Sequence, residues 1–166
     1  MKTKLTLFVA VIAVALFGTD FLGAASKENA SSNPPSNVFE FNKHRYLILH
    51  SSKAFLWEDA IQIAKELGGH LPYVETKEEN DFLRSILKDA KWGGSIPLGA
   101  TDVEKEGVWK WNNGKLVKWT DWATGQPSNS GNEDRLALNT PSNKRWKTGT
   151  WNDADGGWYT IVIEFE

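Results

Sequence analysis

Two segments in the first half of the chain place apolar residues at helical spacing. In WEDAIQIAKELGG, residues 57–69, apolar side chains recur every three or four positions, and Gly68 can adopt the left-handed conformation that ends a helix. In TKEENDFLRSIL, residues 76–87, Thr76 and Glu79 have the spacing of a capping box and precede a second apolar face. The pattern therefore predicts two amphipathic helices.

Alternating or continuous apolar runs elsewhere predict short strands. VFEFNKHRYLILH, residues 38–50, contains two such runs around a turn at Asn42–Lys43. In GVWKWNNGKLVKW, Trp109 and Trp111 alternate with polar residues before a tight turn at Asn113–Gly114, so one of the two is expected in the core. RLAL, KRWKTGTW and WYTIVIEFE are further strand candidates, and the last is expected to pair with the strand near Phe39.

The first 25 residues have the pattern of a cleaved secretory signal peptide. Two lysines precede an apolar run from Leu5 to Phe17, and Gly23 and Ala25 stand at positions −3 and −1 of the expected cleavage site. A retained membrane anchor needs about 20 unbroken apolar residues, and Gly-Thr-Asp at 18–20 interrupts this run. We therefore expect a secreted protein, extracellular or periplasmic, without a membrane partner after cleavage.

The rest of the chain divides into a linker and one domain. Residues 26–37 are polar, contain two prolines and show no periodicity, which predicts a disordered linker. Residues 38–166 are enough for a single domain with its own core. There is no cysteine, which excludes disulfides, thiolate metal sites and cysteine nucleophiles.

The charge balance argues against nucleic acid as a partner. The formal net charge is −2 at pH 7, and loss of residues 1–25 removes two lysines and one aspartate to leave −3. This balance is too mild to suggest nucleic acid or an acidic membrane as a partner.

A long region from Thr120 to Asn132 has little periodicity and many oxygen-bearing side chains. Such a loop is functional or disordered in most domains, and Trp119, Trp122 and Pro127 are candidate apolar anchors that argue against disorder. Calcium takes 6–8 oxygen ligands in irregular geometry. Solvated turns account for the same composition, so spacing alone leaves both interpretations open. The oxygen-bearing residues in and directly after this region are Gln126, Asn129, Asn132, Glu133 and Asp134, and Asn152 and Asp153 join them from further along the chain.

The chain from about Phe39 to Glu166 resembles the C-type lectin-like domain. Five markers occur in the order of that family: WEDAIQIAKELGGHL, ETKEENDFL, PLGATDVEKEGVWKW, GQPSNSGNED and WND. The resemblance implies an α+β fold in which two helices flank antiparallel sheets. It also implies paired N- and C-terminal strands and a long loop that carries the ligand site.

The resemblance further implies calcium as a cofactor and assigns two sets of ligands. The primary set, which also contacts sugar hydroxyls in the family, corresponds to Gln126, Ser128, Glu133, Asn152 and Asp153. The auxiliary set corresponds to Asp102, Glu106, Asn129, Glu133 and Asp134.

Two departures from the family pattern affect these expectations. The family's cysteines would fall near Ala64, Arg135, Gly156 and Ile163, so both usual disulfides are absent and a tryptophan-rich core must offset them. Ser128 stands where an asparagine or aspartate would bind calcium. Because calcium affinity decreases as the number of charged ligands decreases, weak calcium binding or none is expected.

Each candidate residue also has an ordinary structural interpretation. Glu133 can be a solvated loop carboxylate, Asn152–Asp153 can serve turn geometry alone, and Asp102 and Glu106 can belong to a charged turn. Trp146 and Trp158 flank the loops and can stack on a sugar, although burial is commoner for tryptophan. The three histidines are scattered, and nothing in the sequence brings them near a carboxylate pair.

The leading functional hypothesis is a secreted carbohydrate-binding module, with or without calcium. Gln126 favours a galactose-type site, because its amide can donate a hydrogen bond where glutamate only accepts. The alternative is a domain for a protein or other non-sugar ligand with a degenerate calcium site. A glycosidase that uses Glu133 with Asp153 or Asp134 is the third hypothesis, and we expect no enzyme.

Overall fold

The computed structural model describes residues 37–88 and 94–166. Residues Phe39–Glu166 form one compact unit. The signal peptide at 1–25 and the linker up to residue 36 lie outside the described residues. The elements are β1 (Val38–Phe41), β2 (His44–Phe55), α1 (Trp57–Glu66), α2 (Lys77–Ile86), β3 (Ser95–Thr101), β4 (Lys110–Trp111), β5 (Arg135–Asn139), β6 (Trp151–Ala154) and β7 (Trp158–Phe165).

Both predicted helices are present. Gly68 follows α1 with a φ of 81°, as expected of a residue that ends a helix. The Thr76 hydroxyl accepts a hydrogen bond from the Glu79 backbone N–H at 3.2 Å and caps α2. The Glu79 carboxylate, however, accepts from the backbone of Glu75 at 3.0 Å, so only one half of the predicted capping box forms. In the described part of the chain, no helix is long and apolar enough to cross a membrane.

The strands form two antiparallel sheets, which confirms the α+β architecture. One sheet has the order β1-β2-β7 and the other β4-β3-β5-β6. The predicted pairing of the N- and C-terminal strands is confirmed through β2 and β7, where Tyr46 faces Glu164, while β1 lies beyond β2. β2 is longer than predicted and reaches Phe55 after an irregularity that begins at His50. The residues between these two positions are mostly polar and lack the apolar pattern of a strand, so the sequence did not predict this extension.

The core consists of large apolar side chains from both sheets and α2. Trp109 and Trp111 are both buried, at 7% and 2% exposure, so the prediction that only one of them is core was wrong. β4 has only two residues, and strand alternation therefore does not extend to Trp109. That side chain packs against Trp122 instead, with 5.3 Å between the ring centres.

The segment KRWKTGTW is a loop and not the predicted strand. Only its last residue, Trp151, belongs to β6. The Asn143 side chain accepts backbone hydrogen bonds from Arg145 at 2.9 Å and Trp146 at 3.3 Å. This local capping of the backbone competes with a ladder and explains the failure of the pattern.

Arg135, near which the resemblance placed a cysteine of the family, connects β5 to α1. Its guanidinium lies 4.7 Å from the centre of the Trp57 ring. It also donates to the Glu58 carboxylate at 3.0 Å and pairs across the sheet with Ala154. A cation–π contact and an ion pair therefore join these elements without a disulfide.

Candidate functional site

The long loop, residues 120–134, is fixed to β6 by packing and by backbone hydrogen bonds. The rings of Trp122 and Trp151 lie 6.1 Å apart, centre to centre. The Ala123 N–H donates to the Trp151 carbonyl at 2.8 Å, and the Trp151 N–H donates to the Asp121 carbonyl at 2.7 Å. Trp122 is thus an anchor as predicted, whereas Pro127 is exposed.

Asn80, a buried residue of α2, holds the two ends of this region together. Its Oδ1 accepts from the Trp151 indole Nε1 at 2.8 Å. Its Nδ2 donates to the Gly149 carbonyl at 2.9 Å and lies 3.4 Å from the Asp121 carboxylate. Sequence reasoning missed this residue. The available signal was its position three residues before Leu83 on the apolar face of the helix, where an amide needs partners.

Asn129 connects its own loop to two other segments that carry predicted ligands, the loop that contains Glu106 and strand β6. Its backbone N–H donates to Asp153 Oδ2 at 2.5 Å, and its side-chain Nδ2 donates to Glu106 Oε2 at 2.5 Å. Its Oδ1 accepts from the Glu133 N–H at 2.9 Å. The φ of Asn129 is 47°, a left-handed conformation that asparagine tolerates better than most residues. The structure therefore brings residues 106, 129, 133 and 153 into one region.

Four carboxylates lie close enough in this region to repel one another. Burial raises the pKa of Asp102, and the negative charges of Asp134 and Asp153 raise it further. The pKa of Glu106 is also raised, by partial loss of hydration and then by Asp102, Asp134 and Asp153. One oxygen of Asp102 accepts from the Gly107 N–H at 2.9 Å. Asp102, Glu106, Asp134 and Asp153 thus lie within electrostatic range of one another.

Four buried oxygens of the predicted ligands have no hydrogen-bond partner. They are Asp102 Oδ1, Gln126 Oε1, Asn152 Oδ1 and Asp153 Oδ1, four of the six such side-chain atoms among the described residues. A buried polar atom without a partner costs about 1–3 kcal/mol. All four are acceptors, so they cannot form hydrogen bonds with one another, and a donor or a cation is needed to satisfy them. A donor set of carboxylate and amide oxygens fits calcium.

Glu133 faces its own loop more than the auxiliary carboxylates. Its Oε2 accepts from the Ser130 N–H at 3.2 Å and lies 3.4 Å from the Ser128 hydroxyl. Asp134 accepts from the Asn132 amide at 2.9 Å. Among the described residues, no three Asp, Glu or His side chains converge closely enough to hold a metal ion alone. A complete coordination shell therefore needs the amide oxygens as well.

Trp158 and Trp146 do not flank this site. Trp158 is 3% exposed and belongs to the core. Trp146 lies on the loop that joins β5 to β6 at the end of the hairpin where Leu138 faces Trp151, whereas the site lies at the end where Arg135 begins β5.

His44 and His70 lie near carboxylates, which nothing in the sequence indicated; His70 Nδ1 is 3.8 Å from Glu164 Oε2. The His44 Nδ1 lies 2.5 Å from Glu164 Oε1. The Tyr46 hydroxyl donates to Glu79 at 2.8 Å and is 3.3 Å from Glu164, so a carboxylate pair does form. Both carboxylates are buried, at 8% and 2% exposure. The cluster therefore joins β2, α2 and β7 in the interior and is not open to a substrate.

Comparison with known proteins gives a consistent family. The family model described as the lectin C-type domain matches residues 53–163. A perlucin-like protein of Mytilus galloprovincialis is 29% identical over 73% of this chain and 78% of its own length. An alpha-N-acetylgalactosamine-specific lectin of Patiria pectinifera is 39% identical over 46% of this chain and 48% of its own length.

Solved structures agree with the sequence matches. The carbohydrate-recognition domain of the mouse scavenger receptor C-type lectin has a TM-score of 0.65 and 28% identity, covering 80% of this chain and 95% of that domain. These comparisons indicate a family of binding domains and point to no family of enzymes.

Proposed function

This chain belongs to the C-type lectin domain family, and on that premise we propose that it is an exported carbohydrate-binding domain whose sugar site is completed by calcium. The observation that carries the proposal is the group of four unpartnered buried oxygens on Asp102, Gln126, Asn152 and Asp153. A cation relieves both the missing partners and the repulsion among the neighbouring carboxylates.

The proposal divides the candidate ligands between two calcium ions, with Glu133 shared by both. Asp102, Glu106, Asn129, Glu133 and Asp134 hold an auxiliary ion, and Gln126, Glu133, Asn152 and Asp153 hold the ion at the sugar site. Calcium, when bound, supplies positive charge and coordination positions for sugar hydroxyl oxygens. Asn129 fixes the loop against Asp153. The Asn152 Nδ2 donates to the Asp153 carbonyl at 2.8 Å, which fixes the orientation of its amide and leaves Oδ1 as an acceptor.

The proposed sugar has a galactose-type arrangement of hydroxyls. Gln126 offers an amide that both donates and accepts, whereas a carboxylate there only accepts. The name of the Patiria pectinifera relative, a lectin specific for alpha-N-acetylgalactosamine, supports the same preference. Ser128, which is exposed and supplies only a hydroxyl, reduces the charge of the site and therefore the affinity for calcium.

Sugar titrations in calcium and in chelator test this function. Wild type, Glu133→Gln and Glu78→Gln are titrated with galactose and with mannose. Glu78 is an exposed residue of α2, so its variant removes one carboxylate charge far from the loop ligands in sequence. We expect galactose binding in calcium that disappears in chelator and in Glu133→Gln but persists in Glu78→Gln. Absence of any sugar binding by the wild type in calcium would contradict the proposal.

A second candidate function is a protein-binding domain with an incomplete metal site. Two observations favour it: Ser128 is exposed and its hydroxyl lies 3.4 Å from Glu133, and the described acidic side chains do not form a metal site alone. A melting midpoint that is the same in calcium and in chelator would favour this function, whereas a lower midpoint in chelator favours the calcium lectin.

Export is part of the proposal and has its own test. Expression of the full chain with its N-terminus intact should give a mature protein that begins near residue 26 outside the producing cells. N-terminal sequencing identifies the cleavage site, and retention of residues 1–25 would contradict it.

A further inference from the structure

The loop between β5 and β6, residues 140–150, carries chemistry that the proposed sugar site does not use. Between Arg135 and Asn152 the sequence contains no aspartate or glutamate, yet residues 144–147 read Lys-Arg-Trp-Lys. The β5–β6 hairpin separates this loop from the calcium ligands, because Leu138 faces Trp151 at one end and Arg135 faces Ala154 at the other. We call Lys144, Arg145, Trp146 and Lys147, together with Arg84, the basic loop surface.

The loop is held in one conformation by its own hydrogen bonds. The Asn143 Oδ1 accepts from the backbone N–H groups of Arg145 at 2.9 Å and Trp146 at 3.3 Å. At the other end, the Lys147 carbonyl accepts from the Thr150 hydroxyl at 2.6 Å and from the Thr150 N–H at 3.2 Å. The cationic side chains therefore project from a fixed backbone, and binding does not have to order the loop.

The cations of this segment are exposed and are not used in ion pairs. Lys144, Arg145 and Lys147 are all exposed. The salt bridges among the described residues include none of the three. Their polar contacts are a hydrogen bond from Lys144 Nζ to the Pro141 carbonyl at 3.3 Å and the stacking of Arg145. Three full charges thus remain available to an anionic ligand.

Helix α2 adds a fourth cation next to the loop. The side chain of Arg84 passes over Gly149, where a Cβ atom would lie 2.6 Å from its Cδ. Two acidic groups lie beside this surface, Asp81 and Asp121. Asp81 lies 3.8 Å from Arg84 and pairs with Lys77, and the charge of Lys147 also helps to lower its pKa. The Asp121 carboxylate lies near Gly149, because both contact the Asn80 amide. The charge of Asp81 is largely matched by Lys77, and the surface keeps a positive excess.

An aromatic ring lies within the cationic segment. The Arg145 guanidinium carbon lies 4.5 Å from the centre of the Trp146 ring, and the ring is half-buried. A guanidinium stacked on an indole is held in place and still presents its N–H groups at its edge. Those groups match the oxygens of a sulfate or phosphate in a forked arrangement.

We propose that the basic loop surface binds a sulfated polysaccharide at a site separate from the calcium site. Several cations along one segment suit a polymer with repeated charges better than one small anion, and the exposed part of the Trp146 ring suits the apolar face of a sugar. A membrane is disfavoured because the exposed large apolar residues, Leu56, Val103, Leu116 and Tyr159, lie outside this loop. A sulfated sugar polymer is preferred to nucleic acid because a relative of this chain is named as a lectin specific for a sugar.

Heparin, used as a sulfated polysaccharide, tests the proposal by calorimetric titration of the mature domain in chelator. Chelator removes any calcium-dependent sugar binding, so the result for heparin tests the basic loop surface independently of the proposed sugar site. The double variant Arg145→Gln/Lys147→Gln is compared with Lys115→Gln/Lys118→Gln, which removes two exposed lysines from another loop. We expect binding by the wild type, about tenfold weaker binding by the first variant, and a salt slope reduced by about one per cation removed.

The control variant should stay within about twofold of the wild type, since screening makes distant charges unimportant at physiological salt. Desulfated heparin, a DNA duplex and vesicles containing phosphatidylserine should bind much more weakly than heparin. The proposal is overturned by no heparin binding at physiological salt, by an equal loss in the control variant, or by equal binding of DNA or vesicles. Equal melting midpoints of the two variants and the wild type confirm that each is folded.

Discussion

Two sets of buried polar side chains differ in how their atoms are satisfied. In the structural set, formed by Tyr46, Glu79, Asn80, Trp151 and Glu164, hydroxyl, amide, indole and carboxylate groups bond to one another. In the site set, formed by Asp102, Gln126, Asn152 and Asp153, each side chain keeps one buried oxygen without a partner. Every residue of the two sets is less than 9% exposed, except Gln126, which is half-buried.

Strand β6 belongs to both sets. The Trp151 indole is satisfied by Asn80 at 2.8 Å, while the next two residues, Asn152 and Asp153, hold open oxygens. A satisfied buried group stabilises the fold by itself, whereas an unsatisfied one lowers stability until a ligand supplies the missing partner. The comparison teaches that burial alone does not identify candidate binding residues. Unsatisfied oxygens are the additional signal, whereas the other two unpartnered buried atoms of the described residues, Trp109 Nε1 and His70 Nε2, are nitrogens and do not suit calcium.

The largest expected effect is on the structural set. Asn80→Ala should lower the free energy of unfolding by about 3 kcal/mol, because the Trp151 Nε1 and the Gly149 carbonyl lose their buried partner. Urea unfolding measures the change. Asn112→Ala, an exposed position, should stay within about 0.5 kcal/mol of the wild type. A loss below about 1 kcal/mol in Asn80→Ala would mean that the two sets do not differ in this way.

The next effect is on the site set. Asp153→Asn should weaken calcium binding by about tenfold or more, since ligand charge determines affinity. In chelator its melting midpoint should equal or exceed that of the wild type, because repulsion with Asp102 and Glu106 falls. Calorimetric titration and thermal melts measure both. Asp155→Asn, an exposed neighbour, serves as the control and should change neither. If the melting midpoint of Asp153→Asn in chelator were lower than that of the wild type, Asp153 would belong to the structural set.

A smaller effect sharpens the comparison by adding a ligand. Ser128→Asp should tighten calcium binding by roughly threefold to tenfold, because a carboxylate replaces a hydroxyl beside Glu133. Ser130→Asp adds the same charge two positions along the loop and should give a smaller gain. Calcium titrations of both variants compare them. Equal affinities for Ser128→Asp and wild type would show that residue 128 does not contact the ion.

The smallest effect is the pH dependence of the structural set. The hydrogen bond to Glu164 raises the pKa of His44, so its contribution is complete below pH 6.5 and is lost as pH rises through the raised value. His44→Gln should therefore destabilise most in mild acid, by less than about 1 kcal/mol because the ring is partly exposed. Unfolding of both proteins between mild acid and mild base measures the difference, and a difference that grows with pH would contradict it.

His50 provides the control of opposite sign. Burial lowers the pKa of His50, so the fold favours its neutral form and the contribution of this histidine rises with pH. His50→Gln should therefore lose most stability, relative to the wild type, at the alkaline end of the same series. Parallel pH profiles for the two variants would mean that neither local environment determines the effect.

The sequence predicted the helices well and the loops poorly. α1 and α2 were predictable because their apolar spacing, Thr76 and Gly68 are local signals. β2 was predicted too short, and residues 144–151 were predicted as a strand although all but Trp151 lie in a loop whose conformation depends on the Asn143 side chain. Short-range patterns do not report such hydrogen bonds.

The candidate site was predictable as a set of oxygen-bearing residues but not as a geometry. Family resemblance assigned Glu133 to both ligand sets, while its hydrogen bonds lie within residues 128–130. The roles of Asn80 and Asn129 were not visible, because each connects segments that are more than 20 residues apart in the chain. For every residue of the candidate site, a role as a calcium ligand remains a prediction.

The sequence by itself determined the family, the two helices, the lack of disulfides and the chemical type of the candidate ligands. The helices, the lack of disulfides and the chemical type of the ligands follow from local periodicity and composition, which do not depend on distant residues. The family follows from the resemblance of five motifs, in their order along the chain, to a known family. Only the tertiary structure decided which buried polar atoms are satisfied, because a hydrogen bond between Asn80 and Trp151 joins residues 71 positions apart. It likewise decided that KRWK forms an exposed basic surface and that the oxygens of Asn152 and Asp153 stay open, since both outcomes depend on where the β5–β6 hairpin lies in the fold.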